Sequence, residues 1–327
     1  MAHKVESLVY AGEVPWHGIG ESVKNEIRWE TAVIEGGLAG WKVEKRPMYL
    51  ASKVGADGIP FVGAEVKDAV AIVRSKDNTI LGIATNKYEI IQNEEAFSFV
   101  DEIIGAGQAV FHTAGSLCNG RRVFCTLKFP QSSQIGPDLI DQYLLVSTGH
   151  DGKTPLHIRW TPTRVVCWNT LNVALAGNAA ASFTIVHTKN YNTKIEQARE
   201  VLRLTKQYQA VMEAEYTKML QAKFTNDDMK KLAEEIFPSD TDKLAGVTNN
   251  NRNKIIELFH AGAGNDTTEV QNTRWAAYNA VTDFADHFKL VVAKGDDELA
   301  IREARMRSAI FGSGAGLKQT AYNLLKV

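Results

Sequence analysis

Cysteine is scarce in this chain: three occur in 327 residues, at Cys118, Cys125 and Cys167. The number is odd and no two form a CxxC pair, which argues against a disulfide framework and for a reducing compartment. Long apolar runs are missing too. No stretch reaches the roughly 18 apolar residues of a membrane span, and the first residues lack the basic-then-apolar order of a signal peptide. A soluble, cytoplasmic protein without a membrane partner is expected. Excess charge of either sign is also absent, 37 Lys and Arg standing against 38 Asp and Glu for a formal net charge of -1. Any site for a polyanion must therefore be a local patch. No phosphate-loop motif and no GxGxxG after a strand occurs. Gly312-Ser313-Gly314-Ala315-Gly316 lacks the following Lys-Ser/Thr and reads as a loop leading into a helix. Internal repeats and low-complexity linkers are likewise missing.

What is present is ample apolar material, 44% of the residues, enough for a core in a chain of this length. Up to about residue 189 the patterns are mostly extended. Trp41 to Ala51 alternates as a strand, with Pro47 marking an edge. Asp68 to Arg74 and Thr79 to Ala84 flank the turn Ser75-Lys76-Asp77-Asn78, and Ala109 to Ala114 and Arg121 to Phe129 flank Cys118-Asn119-Gly120. A helix over 93–104, capped by Asn93, has Phe97, Val100, Ile103 and Ile104 on one face, and a shorter helix is expected over Trp29 to Gly36. Pro15-Trp16-His17-Gly18-Ile19-Gly20 reads as a tight turn with Trp16 buried and Gly18 or Gly20 in a conformation that a Cβ disfavours. Residues 131–138 read as an exposed connection.

From about residue 190 helical spacing takes over. One long helix is expected over Lys194 to Phe224, and a shorter one is capped by Thr225 and ends near Pro238. A third follows Asn249-Asn250-Asn251, a fourth covers Thr268 to about Val292, and two more cover Glu298 to Ala309 and Leu317 to Leu325, with 261–265 as a loop. The expected fold is α+β: an antiparallel β region with packed helices over 1–189, then an α-helical part over 190–327.

Side chains able to bind or react are densest from Tyr143 to Ala176. Tyr143 to Val146 and Leu156 to Trp160 read as a hairpin turning through His150-Asp151-Gly152-Lys153. A buried helix is expected to start at Pro162 or Thr163. Arg121, Arg122, Lys153, Arg159, Trp160, Arg164 and Trp168, with Lys128, form a candidate basic and aromatic groove. Single-stranded nucleic acid needs such a surface, because cations follow phosphates and rings stack on bases. The competing account is that the tryptophans are core and the arginines solvated or paired. Cys167 with His150 or His187 and Asn169 has the cast of a thiol enzyme, set against the apolar run Val165 to Trp168 that suits a structural cysteine. His112, Cys118, Cys125, His150, Cys167 and His187 are zinc-ligand types, but no pair has structural-site spacing, and no metal is expected. The acidic pair Glu94-Glu95 and the pair Asp227-Asp228 suit helix starts.

With Pro15 to Gly20, the Gly152 turn, Arg164 to Leu171, His187-Thr188 and Trp275-Ala276-Ala277-Tyr278-Asn279-Ala280 in view, the chain resembles the phage/plasmid-like family catalogued as domain of unknown function 932, over nearly its whole length. The resemblance implies a protein carried by phages, prophages or plasmids and transfers no enzymatic activity. In arrangement alone, helix, hairpin strands and basic helix, the chain is also similar to single-strand annealing proteins. The expectation is a sequence-tolerant binder of single-stranded DNA, acting as a homo-oligomeric ring or filament. It needs no cofactor, because base pairing drives annealing. A Cys/His enzyme or a host-interaction protein is the alternative.

Overall fold

The computed structural model describes residues 5–12, 14–15, 18–23, 29–51, 53–54, 60–61, 63–97, 100, 109–164, 174–175, 179–180, 182–202, 205–238, 245–293 and 298–327. The strands are β1 (Val5–Ala11), β2 (Glu21–Val23), β3 (Val43–Tyr49), β4 (Lys53–Val54), β5 (Pro60–Phe61), β6 (Glu65–Arg74), β7 (Ile80–Thr85), β8 (Val110–Leu117), β9 (Arg122–Lys128), β10 (Ser133–Ile135), β11 (Asp138–Gly149), β12 (Leu156–Arg164), β13 (Ala174–Leu175), β14 (Ala179–Ala180) and β15 (Ser182–Ile185). The helices are α1 (Trp29–Glu35), α2 (Asn93–Ala96), α3 (Tyr191–Leu202), α4 (Thr205–Gln221), α5 (Asn226–Ile236), α6 (Ala245–Ala261), α7 (Arg274–Asp283), α8 (Glu298–Phe311) and α9 (Ser313–Leu325). The fold is α+β: the named strands end at Ile185 and the named elements after it are helical. None of the described helices is long and apolar enough to cross a membrane.

An eight-stranded sheet in the order β15-β12-β11-β9-β8-β1-β2, with β10 beside β11, carries the molecule. Its pairs are antiparallel except β1 with β2, which is parallel. Successive side chains of a strand point to opposite faces, and here both faces are covered. Leu144 and Val146 of β11 and Val123, Cys125 and Leu127 of β9 share one core with Leu38, Trp41, Phe97 and the small sheet β3-β6-β7. Leu145 and Phe124 turn the other way, into a second core with Leu8, Leu117 and the α8 residues Met306 and Ile310. That is why β11 is buried almost without interruption rather than alternating. A third core fills the helical part and reaches the sheet at Ile135 and Ile140. The two parts are also joined where Trp275 Nε1 donates to Asp138 Oδ2 at 2.7 Å.

Several elements depart from the sequence expectation. β12 does not give way to a helix at Pro162 but continues to Arg164, with Pro162 opposite Gln142. β15 pairs with β12 only from Leu156 to Arg159, so Pro162 lies beyond that ladder, where a missing N–H costs least. The rest of the expected helix falls at 165–173 outside the described residues, and Ala174–Leu175 pair with Ala179–Ala180 as short strands. Residues 131–138 are not an exposed connection: Ser133 and Ile135 are buried in β10, and the turn leads straight into β11. The cap of α2 is Gln92 rather than Asn93. The Gln92 side chain spans the Val43 backbone, and Glu95 accepts from its N–H at 2.8 Å, leaving Asn93 buried.

In the helical part, α3 and α4 are named separately on either side of 203–204. Asn249-Asn250-Asn251 lies inside α6, and Gly314 and Gly316 lie inside α9. α7 starts at Arg274 behind a Thr273 cap and passes into a π-helical turn, Phe284–Phe288. A fully buried ion pair, Lys318 Nζ to Asp286 Oδ1 at 2.7 Å, ties α9 to that turn. Trp16 and His17 lie outside the described residues. Gly18 and Gly20 around them have φ of +62° and +112°, the region only glycine enters freely.

Candidate nucleic-acid interface

The register of the large sheet gathers one set of polar side chains on the face that α8 covers. Gly149 of β11 lies opposite Arg122, Ser147 opposite both Phe124 and His157, and Leu145 opposite Arg159. Arg122, Ser147, His157 and Arg159 therefore share a face with the apolar residues packed under α8. At the β8-β9 turn Cys118, Asn119 and Gly120 all adopt left-handed φ, 56°, 59° and 82°, a conformation that asparagine and glycine tolerate. The turn brings Arg121 out beside Arg122.

Between this turn and the C-terminal helices lies a cleft of about 920 Å³. Arg121 and Arg122 line one side and Lys289 and Arg307 the other, and the single carboxylate among its lining residues is Asp151. That carboxylate is held by its own turn, Oδ1 accepting from the Lys153 and Thr154 N–H groups and Oδ2 from the Thr154 hydroxyl, and its charge favours the Arg122 cation. The guanidinium of Arg122 lies 4.8 Å over the Phe311 ring. Elsewhere Arg46, Arg74 and Arg302 are in ion pairs, and Arg252, Arg274 and Arg305 donate to backbone carbonyls; among the described residues Arg121, Arg122, Arg159 and Arg307 are in no ion pair. The π turn helps to build the far wall: Lys289 N–H bonds back to Phe284 O at 2.7 Å, and Leu290 and Val292 follow with 76% and 94% of their surface exposed.

A smaller cavity of about 40 Å³ adjoins the cleft through Arg122 and Phe311 and is lined further by Leu145, Ser147, His157 and Arg159. Burial lowers the pKa of Arg122, against the pull of Asp151, and that of Arg159, whose charged form the Arg122 cation disfavours further. Burial, then Arg159, then Arg122 push His157 down to about 4.

The predicted groove is thus only partly assembled. Arg121 and Arg122 meet in the cleft, and Arg159 joins Arg122 in the cavity. Lys153 is exposed in its turn and does not line the cleft. Lys128 is held away from it by Asp141, 2.6 Å distant. Trp160 and Arg164 contribute backbone to β12, while their side chains, like all of Cys167, Trp168 and Asn169, lie outside the described residues. The ring at the cleft is Phe311 instead.

The two histidines of the alternative thiol site point toward the opposite core. His150 is fully buried, its Nε2 2.8 Å from Asn93 Oδ1 and its ring edge-on to Trp41. His187 stacks on Tyr88 at 4.6 Å and bonds the Glu89 carbonyl through Nδ1 at 2.9 Å. Burial, reinforced by His187, pushes His150 down to about 3, too weak a base to activate a thiol near neutrality. The Cys125 thiol is fully buried, which raises its pKa. Among the described residues no group of three or more His, Cys, Asp or Glu is placed to hold a metal ion.

Sequence reasoning missed Lys289, Arg307 and Phe311 in the cleft and Ser147 and His157 in the cavity. A signal existed for one: Arg302, Arg305 and Arg307 crowd one short helix. No local pattern connects that helix to a hairpin some 180 residues earlier.

Residues 80–309 match the family described as Domain of unknown function (DUF932), well over half of the chain. The chain belongs to that family. No curated protein and no solved structure matches it.

Proposed function

We propose that the cleft binds single-stranded nucleic acid without regard to sequence. The observation that carries this reading is the concentration of Arg121, Arg122, Lys289 and Arg307 around one cleft with a single carboxylate, Asp151, among its lining residues, in a chain whose net charge is -1. A phosphate backbone supplies the negative charge that these groups lack. Leu290 and Val292 offer exposed apolar surface for bases and sugars, and no base-reading array of amides is needed for sequence-tolerant binding. The reading extends to strand annealing by a ring or filament of copies, in which base pairing supplies the driving force and no cofactor takes part.

The test is a salt titration of affinity for unrelated oligonucleotides, with folding of each variant checked by circular dichroism. Arg121→Gln with Arg307→Gln should weaken binding equally for all sequences and flatten the slope of log affinity against log salt by roughly 0.7 per lost phosphate contact. A wild-type protein with no affinity for single strands at low salt, where screening is weakest, would sink the proposal.

A further inference from the structure

The small cavity behind Phe311 contains groups whose bonding capacity is unused. Ser147 is 1% exposed, and its hydroxyl has no hydrogen-bond partner. The Arg159 Nε is also buried without a partner. Such groups are rarely left unsatisfied, because a buried donor or acceptor without a partner is costly, so the cavity beside them is a place for a polar occupant. Their neighbours are alike in kind. Arg122 and Arg159 face the cavity with no acidic side chain in its lining, and their charges repel each other. His157 Nδ1 lies 3.3 Å from the Arg159 guanidinium. The same nitrogen lies 3.2 Å from the Thr184 hydroxyl, which can donate or accept, whereas a guanidinium only donates.

Two fixed positive charges, a free hydroxyl, a free N–H and an adjoining imidazole form a host for an oxyanion. The cavity of about 40 Å³ has room for about three water molecules, comparable to a phosphoryl group. A carboxylate or a phosphodiester brings one negative charge, whereas a phosphomonoester brings about -1.5 to -2 at neutral pH and so matches two guanidiniums better. The exit also matters. Arg122 and Phe311 belong to both the cavity and the cleft, so the cleft is the adjoining space into which the ester arm of a phosphate seated here would run.

We propose that this cavity receives a terminal phosphomonoester, the phosphorylated end of the strand lying in the cleft. The protein then binds strand ends in preference to strand interiors. This inference rests on the cleft reading above, and its test separates the two.

The experiment compares one oligonucleotide bearing a 5′-phosphate, a 3′-phosphate or only hydroxyl ends, by fluorescence anisotropy with the full-length protein. One phosphorylated form should bind about tenfold more tightly than the hydroxyl form, a difference on the scale of one added charge-assisted contact. Arg159→Gln and Ser147→Ala should each reduce that preference while leaving affinity for the hydroxyl form within about twofold, since neither residue lines the cleft. Inorganic phosphate should move the NMR signals of the His157 ring in the wild-type protein, an assay that does not depend on a variant folding. Equal affinity for all three strands overturns the proposal and leaves the cleft reading standing. If no strand binds, the cleft reading and the strand-end assignment both fail, and a persisting response of His157 to phosphate identifies a free phosphate ligand instead.

Discussion

His150 illustrates how a single side chain is specified by its surroundings. Asn93 donates through Nδ2 to the Leu38 carbonyl at 2.8 Å, so its Oδ1 accepts, and His150 Nε2 must be the donor. Nδ1 is left bare and buried. A proton there has no partner, which is why burial holds this histidine at about 3 against an ordinary value of about 6.5. The direction in pH follows. Above about 6.5 neither state carries the proton and the stability is whole; as pH falls from there toward 3, the unfolded chain takes up a proton that the folded one refuses, and stability is lost. His112, pushed down to about 4 by burial and then by Lys128, adds to the same loss. Urea melts across that range should therefore show falling stability on acidification. His150→Gln, which keeps a donor near Asn93, should remove about one proton from the slope.

At the scale of elements, the cleft depends on how the turn after β11 is seated. Gly152 has φ +78°, and a Cβ there would meet the Ile83 carbonyl oxygen at 2.5 Å. On the facing strand a Cβ on Gly82 would lie 2.2 Å from the Asp151 carbonyl oxygen. Two glycines thus let β7 and the 150–154 turn touch backbone to backbone, and that contact sets Asp151 and Thr154, whose hydroxyl accepts from Arg122 at 3.2 Å. Gly82→Ala should cost about 1–3 kcal/mol, the usual scale of overpacking, and should weaken strand binding by displacing Arg122. Chemical denaturation together with anisotropy checks both. A variant as stable as the parent would mean that the turn yields freely. The Gly152 turn could be read from the chain, because Asp-Gly between two apolar runs is a hairpin sign. The need for glycine at 82 could not, since nothing near that position says what packs on it.

For the whole molecule, α8 is the piece that makes the sheet's second face a site. Met306 and Ile310 bury against Leu8, Phe124 and Leu145, while Arg307 and Phe311 from the same helix line the cleft. Met306→Ala should cost about 2–5 kcal/mol, as large-to-small changes in cores do. It should also lower strand affinity at temperatures where the protein remains folded, read by thermal melts beside anisotropy. A loss of stability with unchanged affinity would show that the cleft does not need α8 in this position.

The chain by itself determined the α+β class, most strand and helix positions, and the hairpins at Asn119-Gly120 and Gly152. These follow from local periodicity and turn chemistry, which act over a few residues. It also brought Arg121, Arg122 and Arg159 forward as a basic group. Only the tertiary structure decided that Lys289, Arg307 and Phe311 complete the cleft, that Ser147 and His157 sit beside Arg159, and that His150 and His187 face the other way. The apolar run Tyr143 to Val146 in β11 hides which residue faces which layer when both are buried. Charges distant in sequence meet only because Met306 and Ile310 seat α8 on the sheet, a packing choice that no local pattern encodes.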